Sequence, residues 1–146
     1  MLRGLQQPIR DHDTAEFWAG CDEGQLRLQA CADCGQYRWP PGPVCGACGS
    51  MSSTWQESPG AGVVFSWVVV HVPLVPALAD QLPYTVGLIE LDEGIRIVST
   101  IDGCAPDDIH AGMPVQISFD NPGDPVFTAR PVTGHIGVTS QHEGVK

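Results

Sequence analysis

Lysine is almost absent from this 146-residue chain: the only one is Lys146, the last residue. A Schiff-base amine, a phosphate-loop lysine and a basic groove for nucleic acid therefore have almost nothing to be built from. Seven lysines and arginines face seventeen acidic residues, a formal charge of −10. No run of about 18 apolar residues occurs, so nothing is expected to span a membrane. The opening MLRGLQQPIRDHDTAEF also lacks the apolar stretch of a secretory signal. The expected compartment is the reducing cytoplasm, where paired cysteines serve metals more often than disulfides. Hydrophobic residues make up 42% of the chain, enough for a packed core rather than a disordered tail.

Four of the six cysteines fall in one stretch, LRLQACADCGQYRWPPGPVCGACGS. Cys31 and Cys34 form one C-x-x-C pair, and Cys45 and Cys48 form a second. Each pair can fold as a tight knuckle that aims both sulfurs at one point, and two knuckles supply a closed tetrahedral set. Gly35, Gly46 and Gly49 suit the positive φ that such turns need. The intervening YRWPPGPV reads as a stiff hairpin arm. A redox C-x-x-C would need a strand-to-helix setting, and two pairs at this spacing favour a metal. One structural zinc is expected, with iron in a rubredoxin-like site as its competitor. All four ligands come from the protein, which leaves no open position for catalysis.

The text DTAEFWAGCDEG suits a short helix capped by Asp13 or Thr14 and stopped at Gly24, with Phe17, Trp18 and Cys21 on its apolar face. Leu26, Leu28 and Ala30 alternate as a strand that enters the cysteine ribbon. Trp55 and the SPGAG run at 58–62 mark a junction. Beyond it, strands are expected at 62–72, 84–91, 95–101, 114–119 and 126–132, with a hairpin at 92–94 and a short helical turn at 107–112. The fold expected is mainly β: a short N-terminal helix, a rubredoxin-like zinc ribbon, and a five-stranded Greek-key barrel of the OB type. Its expected divisions are a tail and helix over 1–25, the ribbon over 26–57, the barrel over 58–133 and a C-terminal tail over 134–146.

This order of parts resembles the acyl-CoA-associated family that joins a rubredoxin-like zinc ribbon to an OB-fold, long catalogued as a domain of unknown function. The resemblance runs from about residue 14 to 120 and rests on the four cysteines, the CGQYRWPP arm, SWVVVHVP, PYTVGLIELDEG and IHAGMPV. It implies a non-catalytic accessory subunit in a hetero-oligomer. The implied partners are thiolase-like enzymes and MaoC-like enoyl-CoA hydratases or acyltransferase complexes. The nearest implied role is to stabilise a lipid-transfer-protein-like thiolase that cleaves a β-hydroxyacyl-CoA by a retro-aldol step in steroid side-chain degradation.

Independent chemistry finds little support. His71 would share a strand face with Phe65, Trp67 and Val69, with no carboxylate or nucleophile nominated beside it. Cys21 and Cys104 sit in no nucleophile motif and read as buried thiols. Glu90, Asp92 and Glu93 flank a hairpin turn, and His110 with Asp107 and Asp108 reads as a capped turn. A single-stranded nucleic-acid module could stack bases on Phe65, Trp67 and Phe119, but the charge balance cannot supply its groove. An acyl-group binding module is the other independent reading. The basic residues of the middle region are Arg27, Arg38 and Arg96, so the main CoA site is expected on a partner, with Arg38 and Trp39 at its entrance. The loop PLVPALADQLP at 73–83 is long and apolar. It either folds back over the barrel mouth or presents Leu74, Val75, Leu78 and Leu82 to a partner enzyme, and both readings stay open.

Overall fold

The computed structural model describes residues 8–121, 123 and 125–132. The C-terminal tail expected at 134–146 lies outside the described residues. One helix, α1 (Ala15–Asp22), precedes eight strands: β1 (Leu26–Cys31), β2 (Tyr37–Arg38), β3 (Ser53–Ser58), β4 (Ala61–Val70), β5 (Tyr84–Leu91), β6 (Arg96–Ile101), β7 (Pro114–Phe119) and β8 (Phe127–Pro131). Among the described residues no helix is long and apolar enough to cross a membrane.

Helix α1 starts one turn earlier in its hydrogen bonding than its text suggests. Thr14 is the N-cap residue, yet its hydroxyl caps nothing in the helix. Instead the Asp11 carboxylate accepts the Thr14 N–H at 2.8 Å and the Thr14 hydroxyl at 2.6 Å. Arg10 then closes a fork on Asp22 at the far end of the helix, with one bond at 2.9 Å. Phe17 and Cys21 are buried and Trp18 packs against the same core.

The ribbon is a three-stranded antiparallel sheet in the order β2-β1-β3. Its β3 strand, STWQES, was not expected. Four of its six residues are exposed, so no apolar alternation marks it; pairing along the whole of β1, from Leu26↔Ser58 to Cys31↔Ser53, holds it in place.

The remaining five strands close into a barrel in the order β4-β5-β6-β8-β7. Numbered within the barrel this is first, second, third, fifth, fourth, the OB-type order that the strand count suggested. Strand β8 pairs in parallel with β6 through Thr100↔Thr128 and Ile101↔Ala129, and antiparallel with β7 along its length. β7 closes on β4 through Ala61↔Gln116 to Val63↔Pro114. Strict alternation on β5 sends Thr85, Gly87, Ile89 and Leu91 inward, where they meet Ile97, Ile101, Val64, Val115 and Ala129. One apolar cluster runs from this barrel interior through Leu26 and Leu28 to Phe17 of the helix.

A β-bulge between Val64 and Ser66 alters the facing of β4. Phe65 is turned out to solvent, where the Arg96 guanidinium lies 3.5 Å from its ring centroid. The regular face expected to carry Phe65, Trp67, Val69 and His71 together is therefore broken, and His71 lies beyond the strand end, exposed.

Candidate metal centre and surrounding surfaces

The two knuckles fold alike because the same bonds form in each. Gly35 N–H donates to the Cys31 carbonyl and Gly49 N–H to the Cys45 carbonyl, both at 2.9 Å, and each glycine sits at positive φ, 74° and 75°. Gly46 was expected to need the same conformation and does not adopt it. Cys31 N–H reaches the Gln36 carbonyl at 2.9 Å and Cys45 N–H the Ser50 carbonyl at 2.8 Å, closing both turns.

The four sulfurs converge. Cys31 and Cys48 lie 3.6 Å apart, Cys34 and Cys45 3.7 Å, and all four within 4.8 Å of one another. Thiolates about 2.3 Å from a tetrahedral zinc stand about 3.8 Å from each other, so the spacing fits one metal ion. All four are free cysteines, and the distances are too long for S–S bonds. Amide N–H groups of Cys34 and Asp33 aim at the Cys31 sulfur and lower its pKa to about 6; those of Cys48 and Ala47 lower Cys45 in the same way. Such bonds favour the thiolate, the form a metal needs.

Side chains outside the ligand set hold the knuckles together. The Ser50 hydroxyl donates to Asp33, joining the second knuckle to the first. The buried Gln29 amide donates to Ser53 Oγ at 3.1 Å, and its oxygen accepts the Gly42 N–H at 2.9 Å. Gln29 thus ties the hairpin arm to β1 and β3. Sequence reasoning missed it, because alternation with Leu28 and Ala30 assigns position 29 to the opposite face of the strand, whereas the structure buries it.

The other candidate residues are scattered. Trp39 lies half-buried with its ring edge-on to Phe17, 4.7 Å between centroids, and so anchors the arm to the helix. Arg38 and Trp39 line a groove of about 630 Å³ between the arm and the β5–β6 hairpin. The 73–83 loop divides by direction: Leu78 is enclosed at 2% exposure, Leu82 is half-buried, and Leu74 and Val75 stand out, Leu74 at 76%. Part of the loop folds over the barrel and part faces outward. Leu78, expected at a partner contact, is enclosed in the free chain.

Cys21 is buried, which pushes its thiol up to about 12, with Asp22 adding to the effect. Cys104 is also raised, by burial first and then by Asp108 and Asp102. Neither thiol has the electropositive setting of a nucleophile. Glu90 is paired with Arg96 at 2.7 Å, and His110 Nδ1 lies 3.2 Å from the Ala111 carbonyl. Among the described residues no nucleophile, base and orienting group are brought together.

Two family models match the chain: the rubredoxin-like zinc ribbon domain of ChsH2 over residues 18–52, and the C-terminal OB-fold domain of ChsH2 over residues 55–120. The DUF35 domain-containing scaffold protein of Methanocaldococcus jannaschii is 30% identical over 118 residues, which cover 80% of this chain and 83% of that one. The chain belongs to the DUF35 family. Its four-cysteine set is the zinc site of a zinc ribbon, placed to hold one ion.

Two further relatives are longer proteins. The probable enoyl-CoA hydratase alpha subunit of Thermomonospora curvata is 41% identical over 113 residues, 77% of this chain and 35% of the relative. The 3-oxo-4,17-pregnadiene-20-carboxyl-CoA hydratase alpha subunit of Mycobacterium tuberculosis is 37% identical over 115 residues, 79% and 36%. The chain spans about a third of the length of these two relatives. A solved structure, the Ltp2-ChsH2(DUF35) aldolase, matches with a TM-score of 0.77 and 38% identity, over 86% of this chain and 98% of that one.

Proposed function

We propose that this DUF35 chain is a non-catalytic accessory subunit that binds and stabilises a thiolase-like acyl-CoA enzyme, acting as a retro-aldolase on a β-hydroxyacyl-CoA of steroid side-chain type. The observation that carries this reading is the match to the aldolase complex, which takes in 98% of the matched chain. The alpha-subunit relatives are matched over only about a third of their length. They support a second reading, in which the enzyme partner is an enoyl-CoA hydratase.

In this proposal zinc fixes the ribbon so that the arm keeps its position, and the partner supplies the chemistry and the main CoA site. The contact edge comprises Leu74, Val75 and Leu82 of the loop, continued by the exposed Phe65, Val68 and Val98 of the outer barrel face. Arg38 and Trp39 border the entrance. Apolar groups left out in this way commonly mark a protein interface.

Co-expression with a thiolase-like enzyme of the same genome, followed by size exclusion, a zinc assay and an acyl-CoA cleavage assay, tests the proposal. A stable hetero-oligomer with about one zinc per DUF35 chain, and cleavage absent from either chain alone, supports it. An enzyme fully active without this chain, with the two eluting apart, rejects it. Pairing with an enoyl-CoA hydratase instead selects the second reading.

A further inference from the structure

Arg38 presents an electrostatic problem that the ribbon does not solve. All three nitrogens of its guanidinium are buried, and none has an acceptor among the described residues. A guanidinium stays charged at any physiological pH and carries five N–H donors in a fixed fork. Enclosing it without an anion forfeits its hydration and returns nothing. The other arginines among the described residues find partners: Arg10 pairs with Asp22, Arg27 with Glu16 and Glu23, Arg96 with Glu90, and Arg130 with Asp120.

The surroundings of Arg38 are those of a receptor. Its groove of about 630 Å³ is bounded by Tyr37 and Trp39 on the arm, Gly46 and Ala47 on the second knuckle, and Gly94 and Ile95 on the β5–β6 hairpin. Gly46, Ala47 and Gly94 carry at most a methyl group, which leaves room for a ligand. Arg96 lies across the groove, but Glu90 and the Phe65 ring occupy its charge. Glu93, beside Gly94, buries one carboxylate oxygen with no donor, and it does not meet Arg38. Glu93 is not among the residues that line the groove.

We propose that Arg38 is the receptor of an oxyanion site between the zinc-ribbon arm and the barrel. The ligand class is a phosphate or carboxylate that offers two oxygens to two N–H groups along one edge of the planar guanidinium. Its source is either a phosphate ester of a small molecule or an acidic side chain of a protein. The site stands on Arg38 and its groove, whether or not the chain is an accessory subunit.

The experiment uses the zinc-loaded full chain, labelled so that the Arg38 Nε–Hε resonance is followed by NMR. Inorganic phosphate and acetate are titrated separately at constant ionic strength, with chloride as control. A saturable shift of the Arg38 signal with either anion, and none with chloride, is expected; stronger response to phosphate points to a phosphate ester, and to acetate to a protein carboxylate. Arg38→Lys keeps the charge and loses the fork, and is expected to weaken the response to anion about tenfold, read as the anion's stabilisation of the fold. Arg38→Met should raise the melting temperature of the free chain and abolish stabilisation by the anion, because an uncompensated charge has been removed. An Arg38 resonance that moves with neither anion overturns the site. So does a wild-type chain whose melting temperature is indifferent to both anions while Arg38→Met lowers it, since the guanidinium would then be paired within the chain.

Discussion

Cys31 and Cys45 show how a ligand set is prepared by backbone rather than by charge. Among the described residues the shift of Cys31 traces to amide N–H groups of its knuckle and to its fellow sulfurs, not to a lysine or arginine, and it is lowered to about 6. The sign follows directly. A thiol with a lowered pKa is thiolate above that value. At Cys31 and Cys45 protons compete with the metal less than at Cys34 and Cys48, which are raised, and the competition across the set grows as the pH falls. Zinc should therefore be held at neutral pH and be released progressively as the pH falls, with Cys34 and Cys48 taking up protons before Cys31 and Cys45. A chromogenic chelator that follows free zinc across the pH range checks this; half-release above neutrality would mean that the amides do not prepare the sulfurs. The four ligands themselves were legible in the sequence, because C-x-x-C spacing is a local property. Gln29 was not, because its two partners, Ser53 and Gly42, are brought to it only by the folded ribbon.

Among elements, the barrel strands were legible where burial alternates and illegible where pairing alone decides. PVQISF matches β7 residue for residue, and YTVGLIEL matches β5, because one face of each is inside the barrel. STWQES carries no such pattern and becomes a strand only because β1 offers a full ladder. The bulge in β4 was equally hidden: nothing in VVFSW announces that Phe65 will be set outside the alternation. The 73–83 loop supplies a test of how direction governs energy within one element. Leu78→Ala should destabilise the free chain by about 2–5 kcal/mol, the range for truncating an enclosed leucine. Leu74→Asp should stay within about 0.5 kcal/mol, as expected of an exposed position. Thermal or denaturant unfolding of the two variants reads the difference. Equal effects would mean that the loop lies otherwise than described. In the proposed complex the order reverses, and Leu74→Asp should be the variant that weakens assembly.

At the scale of the whole molecule, the helix, ribbon and barrel are joined at Phe17. Its ring stands 4.7 Å from Trp39 of the ribbon arm, 4.8 Å from Trp18 of its own helix and 6.0 Å from Phe127 of the barrel, each edge-on. The apolar cluster is continuous through it, so the metal-held ribbon and the barrel share one core. Such sharing makes unfolding cooperative: zinc that binds only the folded ribbon stabilises the barrel as well. Phe17→Ala should cost about 3–5 kcal/mol by the usual cavity and transfer terms. It should also separate the two halves. In the parent chain, chelating the zinc should lower a single melting transition, seen alike by far-UV circular dichroism and by tryptophan fluorescence. In Phe17→Ala, the same chelation should unfold the ribbon while the barrel melts on its own, so that the two probes part. If the two probes stay together in the variant, the coupling runs instead through Leu26 and Leu28, the other buried side chains at the ribbon's edge of the cluster.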